Sequence, residues 1–228
     1  MELNESKLKD IHSKLRFDFG SLNDEYPEQL LAATFLTGNE KVLEFGGNIG
    51  RNSMIIGYIL NQNNNTDFVT LETYPIDAQR LQHNRDNNGL KFHIENAALS
   101  KKRLFQYLWL SIESDTPIDG HYECNTITLE QLNNKYNINF DTLVVDCEGA
   151  FYYILRDMPE ILNNIKLIII ENDFRELEQK IFVDNLLIQN NFKIIYENNF
   201  TIDLNLSTLL KNDKHKFHFY EVWRKDSI

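Results

Sequence analysis

The chain has 228 residues, enough for one well-buried α/β core and short for two enzyme-sized domains. An apolar fraction of 42 % excludes a disordered composition, and no apolar run reaches the ~20 residues of a membrane helix. A formal net charge of -11 repels phosphate backbones, which argues against nucleic acid as a partner.

Two predicted helices, over residues 2–15 and 28–35, precede the first strand at 41–45, and a helix follows at 52–60. A second strand at 68–72 is closed by Tyr74-Pro75 and leads into a helix over 77–87. A third strand is expected at 92–99, a fourth at 142–146 and a fifth at 167–171. Runs at 192–196 and 217–223 read as a hairpin-like finish with one antiparallel strand. Continuous Val/Ile/Leu runs bounded by polar turns suit strands buried on both faces. Their alternation with helices predicts a Rossmann-like α/β fold: a mostly parallel seven-stranded sheet, an antiparallel C-terminal strand, and helices on both faces. With no Pro/Gly/Ser linker and no internal repeat, residues 1–228 read as a single domain. Residues 1–38 form its N-terminal helices, and 39–228 its core, with an insert near 100–135.

Cys124 and Cys147 are too few for a disulfide framework and too far apart for a CxxC metal pair. Without a leader-like segment, the expected compartment is reducing and cytoplasmic. The Asn-x-Ser/Thr triplets at Asn4, Asn64, Asn199 and Asn205 then read as chance in an Asn-rich chain. The basic triplet Lys101-Lys102-Arg103 reads as a solvated surface turn. Of the histidines, His83, His93, His215 and His218 lack a metal-pair context, while His121 lies in the insert and could reach an acceptor or the surface.

The most informative stretch is Glu44-Phe45-Gly46-Gly47-Asn48-Ile49-Gly50, between a strand and a helix. Glycines there let the backbone turn tightly and approach a ligand. A dinucleotide fingerprint needs glycine where Phe45 stands, which disfavours an NAD-dependent oxidoreductase. The spacing instead matches acid-x-Gly-x-x-x-Gly through Glu44, Gly46 and Gly50, and resembles the first motif of class I methyltransferases. Glu72 ends the next strand, where a carboxylate can accept hydrogen bonds from ribose hydroxyls or simply face solvent.

Further segments in the same order strengthen a likeness. Glu72-Thr73-Tyr74-Pro75, Asn96-Ala97-Ala98-Leu99, Thr128-Leu129-Glu130 and Asp146-Cys147-Glu148-Gly149-Ala150 follow one another along the chain. Together with the glycine loop they resemble the FkbM-type S-adenosylmethionine-dependent methyltransferases over residues 42–171. The resemblance implies that Gly46, Gly47, Asn48 and Gly50 wrap the methionine part of S-adenosylmethionine. It also implies that Glu44 belongs to that loop's motif and that Glu72 holds the ribose. Asn96 and Ala97 would lie near the adenine, Tyr74 would stack on it, and Asp146 would face the sulfonium and amino groups. The expected activity is O-methylation of a small hydroxylated acceptor, a sugar or sugar nucleotide in the first instance. An N-methyltransferase and an inactive cofactor-binding module are the alternatives.

Asp146 and Glu148 are the candidate catalytic residues, since methyl transfer to oxygen needs alignment and a base for the acceptor's proton. Glu148 could equally cap the helix beginning near Ala150. Asp146, Glu171 and Asn172, at the ends of two strands, could converge on Mg²⁺ or only line the acceptor pocket. The insert from 104 to 122 and the N-terminal helices are expected to build that pocket.

Overall fold

The computed structural model describes residues 2–198, 201–204 and 215–226; Asn199 and Asn205 lie outside them. Helices α1 (Glu5–His12) and α2 (Tyr26–Phe35) come first, followed by β1 (Val42–Phe45), α3 (Arg51–Asn61), β2 (Phe68–Leu71), α4 (Pro75–Asn87) and β3 (His93–Glu95). An insert holds β4 (Ala98–Leu99), β5 (Leu104–Tyr107), β6 (Leu110–Glu113), β7 (Tyr122–Cys124) and β8 (Thr126–Ile127). The core resumes with α5 (Leu129–Tyr136), β9 (Thr142–Val145), α6 (Ala150–Asp157), a 3₁₀ turn (Pro159–Asn163), β10 (Leu167–Glu171) and α7 (Leu177–Gln189). It closes with β11 (Phe192–Glu197), β12 (Thr201–Leu204), β13 (His215–His218) and β14 (Tyr220–Lys225).

The seven-stranded sheet runs β11-β14-β10-β9-β1-β2-β3, and only β14 is antiparallel to its neighbours. β1 lies between β2 and β9, so the strand order reverses there and opens a crevice at the carboxyl ends. Alternate residues of each strand serve opposite faces. Val42, Val144, Ile169 and Val222 pack with α1 to α4, whereas Leu43, Leu143, Ile168 and Trp223 pack with α5 to α7. Both faces are therefore covered, as the continuous apolar runs require.

Local chemistry fixes the turns between these layers. Gly50 (φ +96°) and Gly149 (φ +82°) begin α3 and α6 from the left-handed region. Thr128 and Gln131 form a reciprocal capping box on α5.

Several expectations shift. The third strand, expected at 92–99, is two strands: β3 ends at Glu95, and β4 pairs with β8 in a separate ribbon. The run at 217–223 likewise divides, with β13 pairing to β12 and β14 entering the main sheet. The first helix is shorter than 2–15, the second begins earlier than 28, and α7 intervenes between β10 and β11. The insert forms a three-stranded antiparallel sheet, β6-β5-β7. Lys101, Lys102 and Arg103 engage Glu160, Glu113 and Glu123 along this insert and its neighbours. Among the described residues no helix is long and apolar enough to cross a membrane.

Candidate active site

Strand register sets the floor of the site. Phe45 pairs with Leu71 and Val145, and Val145 with Ile170, so Glu72, Gly46, Asp146 and Glu171 form one row beyond the paired ends. At this edge Gly46 (φ +85°) and Gly47 donate their amides to Leu71 O at 3.0 and 2.9 Å. A Cβ on Gly46 would sit 1.6 Å from the Asp146 carbonyl oxygen, so only glycine fits between β1 and β9. Gly47 and Gly50 serve packing behind the turn, where Cβ atoms would meet Thr70 Oγ1 at 2.3 Å and Leu81 Cγ at 3.1 Å. Neither glycine lines the cavity above.

Glu72 is buried, and its carboxylate clasps two turns. Asn48 N donates to Oε2 at 2.7 Å, and Tyr74 N donates to Oε1 at 2.6 Å. Burial raises the Glu72 carboxyl above its ordinary range, and those amides pull it back. Each carboxylate oxygen keeps a lone pair for a further donor. The side chain lines the cavity, as do Asn48, Tyr74 and Ala97. The Tyr74 ring stands 5.8 Å from that of Tyr122, and Tyr74 remains partly exposed.

Two further expected cofactor residues act from behind the surface. Glu44 alternates with Phe45 and so points toward α3, where Ser53 Oγ hydrogen-bonds to it. It is buried outside the cavity lining, and burial pushes its carboxyl up to about 7, against the hydrogen bonds of Ser53 and Thr70. Asn96 does not line the cavity either; its Nδ2 donates to Glu72 O at 2.7 Å and Thr73 O at 3.1 Å, bracing the loop after β2.

The other side of the crevice is acidic. Asp146 lines it together with Glu148, and Gly149 occupies the cap position of α6. Carboxylate oxygens of Glu28, Asp146 and Glu171 lie within 4.8 Å of one another. Burial, then the neighbouring acids, raises Asp146 and Glu28 well above the ordinary carboxylate range. Burial also raises Glu171, opposed by hydrogen bonds with Glu28 and Tyr220. Asn172 does not line the cavity; its Nδ2 donates to His218 O at 2.8 Å, toward the end of β13, and Glu28 stands beside Asp146 and Glu171. Sequence reasoning missed Glu28, whose only signal is an acid at the start of an otherwise apolar helix.

These residues surround one cavity of about 1560 Å³, larger than the roughly 300–1,000 Å³ typical of a single small ligand. Its far wall is the insert. Tyr107, Leu108, Trp109 and Leu110 form the β5–β6 hairpin and its turn, and Leu108 and Trp109 are 63 % and 67 % exposed. His121 lines the same wall, 5.6 Å from the Tyr107 ring, and Tyr153 and Arg175 line the cavity from the α6 side. From α2 come Glu28 and, at its cap, Glu25.

The strand order, reversed at β1, and the glycine turn opening at that point define a Rossmann-like fold of the class I methyltransferase type. Its solved neighbours agree. One is a protein in the NADB-Rossmann superfamily from Streptococcus agalactiae, with a TM-score of 0.52, 14 % identity, and coverage of 88 % of this chain and 68 % of that one. Another is the ribosomal protein L11 methylase from Lactobacillus delbrueckii subsp. bulgaricus, with a TM-score of 0.52, 11 % identity, and coverage of 93 % and 84 %. No family model and no curated protein matches the sequence. At these identities the likeness is one of fold, and it does not single out the FkbM-type family.

Proposed function

We propose that the chain is an S-adenosylmethionine-dependent methyltransferase acting on a small acceptor. The observation that carries this reading is the pairing of the Gly46 turn with the Glu72 carboxylate at the switch point, both opening into a cavity with room for two ligands. Glu72, with lone pairs left after binding two amides, suits a ribose diol. Tyr74 and Ala97 would flank the adenine, and Gly46 and Asn48 the methionine part. Asp146 would face the amino group. Glu44, Gly47, Gly50 and Asn96 would shape this cradle from behind.

The bound cofactor supplies an activated methyl group. The residues here align an acceptor and take its proton. Alignment can lower a barrier by ~7–11 kcal/mol and a positioned base adds roughly 10²–10⁴-fold. Asp146, whose carboxyl burial raises well above its ordinary range, and the more exposed Glu148 are the candidate bases. Segment order similar to the FkbM-type family favours a hydroxyl acceptor such as a sugar, in a reducing, cytoplasmic setting. The acidic wall around Asp146 favours methylation of nitrogen as the second reading. It also weighs against a sugar nucleotide, whose phosphates it would repel. Oxygen atoms of Glu28, Asp146 and Glu171 match the ligand chemistry of Mg²⁺, although acidic groups are common without a cation.

Calorimetric titration with S-adenosylmethionine, S-adenosylhomocysteine and NAD, with and without Mg²⁺, tests the reading. Binding of both adenosyl compounds but not NAD is expected. Tight binding of NAD alone, or of none of them, would overturn it.

A further inference from the structure

The cavity lining changes character between the cofactor turn and the insert. Glu72, Asp146 and Glu148 line it beside the glycine turn. From the insert side come Trp109, Leu110 and Ile112 of the β5–β6 hairpin, and from α6 come Tyr153, Ile154 and the cap residue Met158. Three contacts hold the insert against the end of α6. Arg156 Nη2 donates to Glu113 at 2.6 Å, Lys101 Nζ donates to Asp157 O at 2.8 Å, and Lys102 pairs with Asp157 at 3.4 Å. The acids that hairpin and helix bring to the lining, Glu113 and Asp157, are thus neutralised where they stand. The uncharged side chains beside them are mainly apolar.

The hairpin turn keeps its apolar side chains in the open. Tyr107 is 54 % exposed, and Leu108 and Trp109 more so. Leu108 adopts a φ of +53°, a conformation that glycine or asparagine usually takes. Buried Gln106 pins it there, donating from Nε2 to Leu108 O at 2.7 Å, and Cys124 Sγ donates to Gln106 Oε1 at 3.3 Å. A turn made of leucine and tryptophan therefore costs the fold twice, in backbone strain and in apolar surface left wet. Such costs concentrate where a ligand is held. The turn, α6 and the candidate cofactor cradle all line one cavity, so the group that covers these side chains belongs to the molecule meeting the cofactor.

We propose that the acceptor is amphiphilic. Its polar end, which bears the nucleophile, sits by Asp146 and Glu148, and an apolar tail of several carbons lies between the hairpin turn and α6, against Trp109 and Tyr153. The inference rests on the methyltransferase reading and names its acceptor class. Seating the tail takes apolar surface of the ligand and of the turn out of water together, a gain of roughly threefold in affinity per added methylene. The cavity of about 1560 Å³ has room for such a molecule beside the cofactor.

The test is ligand-observed NMR titration of the full chain, with and without S-adenosylhomocysteine. Two chain-length series serve as probes: methyl, butyl, hexyl and octyl β-glucosides below their micelle concentrations, and butanol, hexanol and octanol. In at least one series affinity should rise roughly threefold per methylene. Trp109→Ala and Tyr153→Ala, both at exposed positions, should keep the parent's unfolding temperature, weaken the octyl member several-fold and flatten the series. Ile188→Ser, at an exposed site of α7 outside the cavity lining, should leave the series as steep as in the parent. No binding, or affinity that does not rise with chain length in either series, overturns the proposal. So does a rise that survives in both cavity variants or disappears in Ile188→Ser, because the tail then sits elsewhere. If S-adenosylhomocysteine does not bind while the series behaves as expected, the methyltransferase reading has failed and the apolar groove stands as a ligand site.

Discussion

The carbonyl oxygen of Asp146 occupies the space a side chain on Gly46 would need, 1.6 Å from its would-be Cβ. The two candidate half-sites, cofactor turn and acidic wall, are thus in backbone contact. Asp146 N also donates to Phe45 O at 3.1 Å. Gly46→Ala must both leave a positive φ and push β9 aside, so a loss on the order of 2–5 kcal/mol is expected. Chemical denaturation measures it, and S-adenosylhomocysteine binding should vanish with it. A variant as stable as the parent would show that the strands can part freely.

Glu72→Ala removes the carboxylate that joins the Asn48 and Tyr74 turns. Hydrogen bonds to a charged group contribute ~1.5–3 kcal/mol, so S-adenosylhomocysteine affinity should fall roughly 10–100-fold. Calorimetry on the folded variant reads this directly. Unchanged affinity would remove Glu72 from the ribose role.

Glu44 gives the folded state an unusual pH dependence. Its carboxyl rises from 4.5 to about 7 in the folded chain, so the native state keeps a proton that the unfolded chain has released. Its contribution is greatest below 4.5, declines as pH rises toward about 7, and is level above that. The full span amounts to roughly 3 kcal/mol at ~1.4 kcal/mol per unit. Glu44→Gln should flatten this slope in a series of unfolding curves. A variant whose stability falls with pH as steeply as the parent's would refute the assignment.

Lys180 offers a control outside the cavity lining. It is fully buried in α7, with Nζ 3.1 Å from Glu221 and beside Asp184, and Trp223 Nε1 donates to the same Glu221 at 2.9 Å. Lys180→Ala strands a buried carboxylate and should cost ~3–5 kcal/mol. Cofactor affinity of the folded fraction should stay unchanged, because none of these residues lines the cavity.

The strands of the sheet centre were legible because each is a short unbroken apolar run with a polar end. β1, β2, β9 and β10 fall where the sequence places them. α7 was hidden because apolar residues surround it: Val183 and Leu187 are buried while Ile181, Phe182 and Ile188 are exposed, so no single face stands out. In the site, Glu72 and Asp146 follow directly from strand ends. Glu44 does not, since the alternation that buries Phe45 on one face sends Glu44 to the other. Glu28 was out of reach of local reasoning altogether. It meets Glu171 from a helix more than a hundred residues earlier, and only the packing of α2 across the strand ends joins them.

β14 enters the sheet between β10 and β11, pairing antiparallel with both. Until residues 220–225 emerge from the ribosome, β11 has no neighbour and the edge of β10 stays open. The glycine turn and its carboxylate row can assemble during synthesis, yet the β10 and β11 edges are joined only when β14 is drawn in like a zip pull. Whatever delays that insertion leaves the sheet with two bare strand edges, the state most prone to stick to its own copies.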